Sequence, residues 1–378
     1  MIIYIITFAL SLMGVRLAEV YDEDHRRLYA GSILAVLPPI LIAGFRDVTV
    51  GTDVSLYIVP IFQGIASNGQ NLIEFINSYP GMEWGYLFIN YIIAQLTDQP
   101  FVLLICIHIL VIVPLYITAM KWRKRLSPTL FMFIYYMIFF QESLSIVRQS
   151  IALSLSLLAF TFFIESKYIK YIVCLIVSFF FHQTAFITLS FPVIYVFVKH
   201  FSIRQNYLFF GSAALVLLFF FLNIDSIFIW LIENGYMDIK FLKYTTADDI
   251  FVPVLGATNM LVKIVTIAYI LYVIFLYKPD AYLKLFLIMA VLDMLFSLCA
   301  LILQPLDRIS LYYRLITCIS IPFIASNYPI RVDIQDEPYK IRIEMMFCIL
   351  VFVYWYYVYM SGNYDDTADY QLSSMLFV

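Results

Sequence analysis

The sequence predicts an all-α, polytopic integral membrane protein. Hydrophobic residues make up 63% of the 378 positions and charged residues only 13%. Mean hydropathy is +0.91. A soluble domain carries about a quarter charged residues, and several apolar runs here reach the roughly 18 residues that cross a bilayer as a helix. The short alternating segments of a transmembrane β-barrel do not occur.

The apolar segments fall at 1–19, 28–45, 84–96, 100–120, 128–141, 145–164, 168–182, 184–198, 206–222, 258–277, 282–304, 309–325 and 343–360. They predict about 12–14 transmembrane or partial helices in a single transmembrane domain, 1–378. The first segment lacks a basic start and a small-residue cleavage site, so it reads as a membrane helix and not a removed signal peptide. The five cysteines, Cys106, Cys174, Cys299, Cys318 and Cys348, lie inside apolar runs without metal-ligand spacing and read as small core residues. A net charge of −3 offers no basic surface to nucleic acid.

Lysine and arginine collect in KWRKR (121–125), ESKYIK (165–170), KHFSIR (199–204), KPDAYLK (278–284) and 331–342. The positive-inside rule places these loops in the cytoplasm. QES (141–143), 223–257, QPLDR (304–308) and the acidic tail 361–370 then fall outside. The N-terminal third fits this frame only with a partial helix within 54–96. Segment 84–96, about 20 Å long at 1.5 Å per residue, is short of the roughly 30 Å hydrocarbon core; the other candidate is 54–66. Two outer regions result: 46–83, an outer loop or partial re-entrant region, and 223–257, an outer loop.

Charged side chains cost about 2.5–3.5 kcal/mol at the centre of a bilayer and mark cavities or partners. Arg148, in the first turn of its predicted helix, stands on the outer side, where arginine is disfavoured. His182 follows three phenylalanines at an outer turn, and imidazole suits proton transfer near neutral pH. His108 reads as a core histidine. Arg308 and Tyr312 share a helix face at i, i+4; Asp307 and Arg314 share another, where Asp307 reads equally well as a structural lock. Asp293 lies mid-helix and needs a partner or a cavity, structural or on a proton path. Lys263 lies near an outer helix end and reads as a snorkelling residue as readily as a functional one. Arg46, Arg148, His182 and Arg308 map to one side. Guanidinium groups there suit a diphosphate, because their forks match phosphate oxygens and stay charged.

FRDVTVGTD with Tyr57 four residues after Asp53, EWGYLFIN (83–90), VRQSIALSL (147–155), FHQTAFI (181–187) and RISLYY (308–313) occur in this order. Together, over roughly 40–325, the chain resembles the EpsG-like group of Wzy-type polysaccharide polymerases. The resemblance implies a GT-C-like glycosyltransferase at the outer face of the bacterial cytoplasmic membrane. It would join oligosaccharide repeat units carried on undecaprenyl diphosphate, as an inverting, metal-independent enzyme with no cofactor. A chain-length regulator is an implied partner. On this reading Arg46, Arg308 and Arg314 bind the diphosphate, with Arg148 and Arg308 stabilising charge on it as it leaves. His182 is the candidate base, with Asp53 and Glu83 as rivals. Tyr57, Tyr312 and Tyr244 contact substrate, Tyr244 and Tyr236 by stacking on sugar rings. The DD at 248–249 is contiguous and has no evident ligand partner, so no DxD-type metal pair is seen.

Other classes fit parts of the pattern. A flippase for the same lipid-linked glycan would use the intramembrane charges, Asp293 above all, but needs related halves or broken helices. A multipass polysaccharide acyltransferase would also use a histidine base. An assembly scaffold would hold the same charges for structure alone.

Overall fold

The computed structural model describes residues 1–21, 23–68, 71–200, 226, 229–230, 233–234, 255–300, 304–328, 331–333 and 340–373. The predicted helix 206–222, the DD at 248–249, Tyr236 and Tyr244 lie outside the described residues. The fold is all-α, as expected. Among the described residues, eight helices are long and apolar enough to cross a membrane. Four shorter apolar helices accompany them: Val54–Ile65, Trp84–Ala94, Pro128–Ile138 and Tyr168–Phe181. The chain divides into two compact units, Met1–Thr188 with Cys318–Val378, and Leu189–Thr317.

The first unit opens with α1 (Ile2–Val20) and α2 (His25–Gly44), paired along their length. Small residues make this possible. A Cβ added at Gly31 would stand 2.6 Å from the Ala18 backbone nitrogen, and one at Gly14 would run into Ala35. Such close approach lets backbones gain dispersion contacts where lipid supplies no hydrophobic drive between helices. Asp24 caps α2 by accepting from Arg26 N and Arg27 N at 3.0 and 3.3 Å.

A π-helical turn, Val54–Ile58, leads into α3 (Val59–Asn68), followed by α4 (Leu72–Ser78) and α5 (Trp84–Ala94). Region 46–83 is therefore short helices and turns. α5, at 11 residues, is too short to span the core as an α-helix. α6 (Pro100–Trp122) packs on α2 and on α9 (Val147–Ile164). Between them come α7 (Pro128–Ile138) and α8 (Phe140–Ser145), and α10 (Tyr168–Phe181) lies along α9. Ser127 Oγ accepts from Leu130 N at the start of α7, and prolines open α6 and α7, where a missing N–H costs nothing. On α10, Ile169, Ile172, Val173, Ile176, Phe179 and Phe180 are exposed, a surface suited to acyl chains.

The second unit holds α11 (Ser190–His200), α12 (Leu255–Leu276), α13 (Ala281–Cys299) and α14 (Asp307–Leu315). α13 is packed by the other three helices or their caps. The chain then returns to the first unit with α15 (Thr317–Asn327), a pair of three-residue antiparallel strands, β1 (Arg331–Asp333) and β2 (Lys340–Arg342), and α16 (Ile343–Trp355). α16 packs on α7, and Tyr359 Oη just beyond it donates to Ile138 O at 3.1 Å.

Candidate active site

Three helix starts supply the polar residues gathered in the first unit. Asp53 precedes the π turn, Glu83 precedes α5, and Arg148 stands in the first turn of α9. The Arg148 Nη1 pairs with Glu83 Oε2, and its Nε donates to Tyr57 Oη at 3.4 Å. Tyr57 Oη donates in turn to Asp53 Oδ2 at 2.7 Å. Asp53, Tyr57, Arg148 and Glu83 thus form one continuous array. The guanidinium carbon lies 5.0 Å from the centroid of the Tyr57 ring and 5.8 Å from that of Tyr86, a stacking that holds a cation over π faces. The side chains remain partly open, Arg148 at 18% and Glu83 at 9%. Nη2 of Arg148 makes no hydrogen bond among the described residues. The N-terminus of α9 adds the positive end of a helix dipole, which favours an anion.

The loop behind this array is built on Arg46. Its guanidinium is 1% exposed and donates to three backbone carbonyls: Val50 at 3.1 Å, Leu144 at 2.8 Å and Ala43. Asp47 Oδ1 accepts from Thr49 N and Thr49 Oγ1 at 3.1 and 3.0 Å, closing an Asx turn. Gly51 follows with φ +93°, and a Cβ there would stand 2.5 Å from Leu144 O. Both the conformation and the close approach require glycine. Arg46 and Gly51 meet the same carbonyl, so the charge and the glycine turn beside the membrane helix form one piece of scaffolding. All the hydrogen bonds of Arg46 among the described residues go to backbone, and its guanidinium is not presented to a ligand.

His182 ends α10 in extended conformation and is 7% exposed. Its Nδ1 accepts from Thr184 N at 3.3 Å and lies 2.7 Å from Thr184 Oγ1. A ring nitrogen that accepts a backbone N–H carries no proton, so the neutral ring presents Nε2–H. In this orientation His182 is a donor.

Arg308, Tyr312 and Arg314 belong to the second unit. Arg308 is exposed and Tyr312 is buried. Arg314 is 3% exposed, with Nε 3.6 Å from Asp293 Oδ1 and Nη2 3.4 Å from Asp307 Oδ1. Lys263 Nζ lies 2.7 Å from Asp293 Oδ1, with side chains 1% and 6% exposed, and also donates to Ser297. The snorkelling reading of Lys263 is therefore corrected: its ammonium is buried on a carboxylate. Asp293 has the partner its mid-helix position demanded.

Two features went unread in the sequence. Glu142 on α8 is buried. Residues beyond the last span return to the Arg46 loop: Asp47 N donates to Gln371 O at 2.8 Å, Ser373 N to Phe45 O at 2.9 Å and Gly51 N to Asp366 O at 3.3 Å. The only available signal was that the topology put QES, the tail and loop 46–83 on one side. Among the described residues, no three His, Cys, Asp or Glu side chains are grouped to hold a metal ion.

The model of the EpsG family, a Wzy-like polymerase family, matches residues 31–372, nearly the whole chain. No curated protein and no solved structure matches it.

Proposed function

From the premise that this chain belongs to the EpsG family and is a polymerase-type, multi-pass membrane protein, we propose that it joins lipid-linked oligosaccharides. It is a glycosyltransferase that takes an undecaprenyl-diphosphate-linked glycan as donor. The glycan passes to a second lipid-linked unit at the outer face of the bacterial cytoplasmic membrane. The single observation that carries this reading is the Asp53–Tyr57–Arg148–Glu83 array. It holds a partly open guanidinium with a spare N–H edge at a helix N-terminus, inside a membrane protein.

In the reaction the acceptor hydroxyl attacks the anomeric carbon, and the bond to the diphosphate oxygen breaks with its electron pair. Charge grows on the diphosphate. Arg148 meets that charge with Nη2, already oriented by Glu83 and Tyr57, so little reorganisation remains. Attack from the face opposite the leaving group inverts the anomeric centre. His182, at the end of α10, is a further candidate for contact with the substrate. Arg46 holds the loop that carries Asp53 and Tyr57. Arg308, exposed in the second unit, is kept as a candidate for substrate contact, while the buried Tyr312 packs in that unit and Arg314 holds Asp293 and Asp307. A chain-length regulator is the expected partner, and no metal ion is used.

The test is reconstitution of the purified protein with the lipid-diphosphate-linked repeat unit extracted from host membranes, without nucleotide sugars and with chelator. A ladder of glycan lengths from the wild type, absent from Arg148→Ala and Arg148→Lys at equal protein level, is the expected result. Dependence of the ladder on an added divalent ion overturns the metal-free part. Absence of any ladder with verified substrate overturns the polymerase. One observation favours transport as the second reading, the buried Lys263–Asp293–Arg314 group. A lipid-flipping assay on the same vesicles decides between them.

A further inference from the structure

The acidic tail forms a clasp. Tyr4 Oη on α1 donates to Thr367 O at 2.8 Å, and Tyr370 Oη donates to Ile42 O at 2.9 Å. With the three backbone bonds to Phe45, Asp47 and Gly51, these fix residues 366–373 on the loop that precedes Asp53. Within it the chain turns through Asn363, Asp365 and Asp366 at φ 46°, 59° and 54°. Asn and Asp tolerate this left-handed region because their short side chains bond locally. Asn363 does so, its Oδ1 accepting from Ala368 N at 2.9 Å.

The turn that carries Asp365 packs on α8, which holds Glu142, and lies beside the Gly51 turn two residues before Asp53, where Gly51 N donates to Asp366 O at 3.3 Å. Asp365 is half-buried and makes no hydrogen bond or ion pair among the described residues. The other carboxyls here differ. Glu83 is paired with Arg148, Asp53 accepts from Tyr57, and Glu142 is buried. A separate observation points to a polar ligand. Gln141, also on α8 and wholly buried within reach of Tyr4, finds no hydrogen bond of proper geometry for either amide atom. A sugar hydroxyl would satisfy it.

We propose that Asp365 is the general base of polymerisation, delivered by the C-terminal clasp to the Asp53 end of the array to take the proton from the acceptor hydroxyl. This rests on the polymerase reading above. The acceptor O–H bond breaks and its proton moves to an Asp365 oxygen. The freed electron pair forms the new glycosidic bond, and the bond to the diphosphate breaks with its pair going to the phosphate oxygen facing Arg148. The proton then leaves Asp365 to water.

The charge around Asp365 suits a base. The ionisable groups that act on Asp365 are Glu142 from α8, Asp53 before the π turn and Asp366 on its own turn. Burial first, then the carboxylates of Glu142, Asp53 and Asp366, push Asp365 up to about 7. A base titrating near the working pH combines a large ionised fraction with good proton affinity.

The experiment is the pH profile of kcat/KM, from pH 5.5 to 8.5, in the reconstituted system with the extracted lipid-diphosphate-linked repeat unit. The wild type is expected to lose rate as pH falls through about 7. Asp365→Asn is expected to lose at least ~100-fold in rate and to lose that limb, while Asp365→Glu keeps a shifted one. Wild-type polymer with an Asp365→Asn variant of unchanged rate and profile overturns the assignment and leaves the polymerase standing. If Asp365→Asn does not accumulate, the wild-type profile still decides, and a flat acid limb overturns the proposal. No polymer from the wild type at any pH overturns the polymerase reading itself.

Discussion

Arg46 Nη2 and the Leu144 carbonyl oxygen, 98 positions apart in sequence, meet at 2.8 Å. The bond ties the end of α2 to the break between α8 and α9, where Arg148 begins. Its neighbours make the tie specific, because Val50 O and Ala43 O occupy the other guanidinium nitrogens. Arg46→Lys supplies one point charge where three directed donors were used. Each lost charge-assisted bond costs about 1.5–3 kcal/mol. Arg46→Lys is expected to lower the unfolding temperature in detergent and the membrane level. A variant that melts as the wild type does would show that the turn does not need the fork.

Glu83→Gln keeps an acceptor for Arg148 and removes the charge. The guanidinium then keeps a neutral acceptor but loses its ionic partner. The array predicts a fall of about tenfold or more in kcat, since preorganised charge is what the leaving diphosphate meets, with protein level unchanged. A fall in KM alone, or none, would exclude Glu83 as the residue that positions Arg148.

These residues also mark what the sequence could reveal. Membrane class and the short α5 were legible, because hydropathy and length are local properties. The candidates Asp53, Tyr57, Glu83 and Arg148 were legible as motif residues, yet only folding brings three distant helix starts together. Arg46 and Lys263 show the limit. An arginine or lysine beside an apolar run reads alike whether its head meets a ligand, water or a buried carbonyl. The distinction lies in partners far away in sequence, Leu144 for one and Asp293 for the other. Asp365 was hidden for the same reason, since charge bias gives a polar tail after the last span its side of the membrane but not the segment it turns back onto.

The Lys263–Asp293 pair, 30 positions apart and 2.7 Å long, separates structure from transport. Lys263→Met removes one cation and leaves Asp293 to Arg314 alone, so it costs less than the about 3–5 kcal/mol of a buried charge left with no partner. The double variant Lys263→Met, Asp293→Leu removes both charges and is expected to be more stable than either single change. If the pair is structural, the double variant still polymerises in vesicles. Loss of proton-coupled lipid movement, with the ladder intact, would instead assign the pair to transport.

The sidedness of the site is tested by accessibility. Ser55 is exposed beside Asp53, and Lys124 is exposed in the basic loop between α6 and α7. Short basic loops are retained in the cytoplasm, so these positions are expected on opposite sides. Native cysteines lie in apolar segments, are unpaired, and Cys318 is buried, so they react slowly with a charged reagent. Ser55→Cys is expected to label with an impermeant thiol reagent in intact cells. Lys124→Cys is expected to label only after the membrane is opened. The reverse pattern would put the Asp53–Arg148 array in the cytoplasm. A donor there would meet nucleotide sugars, and the lipid-linked donor would lose its main support. Labelling of both positions in intact cells would mean that the basic loop is not retained inside and that α6 crosses in a sense the charge rule does not predict.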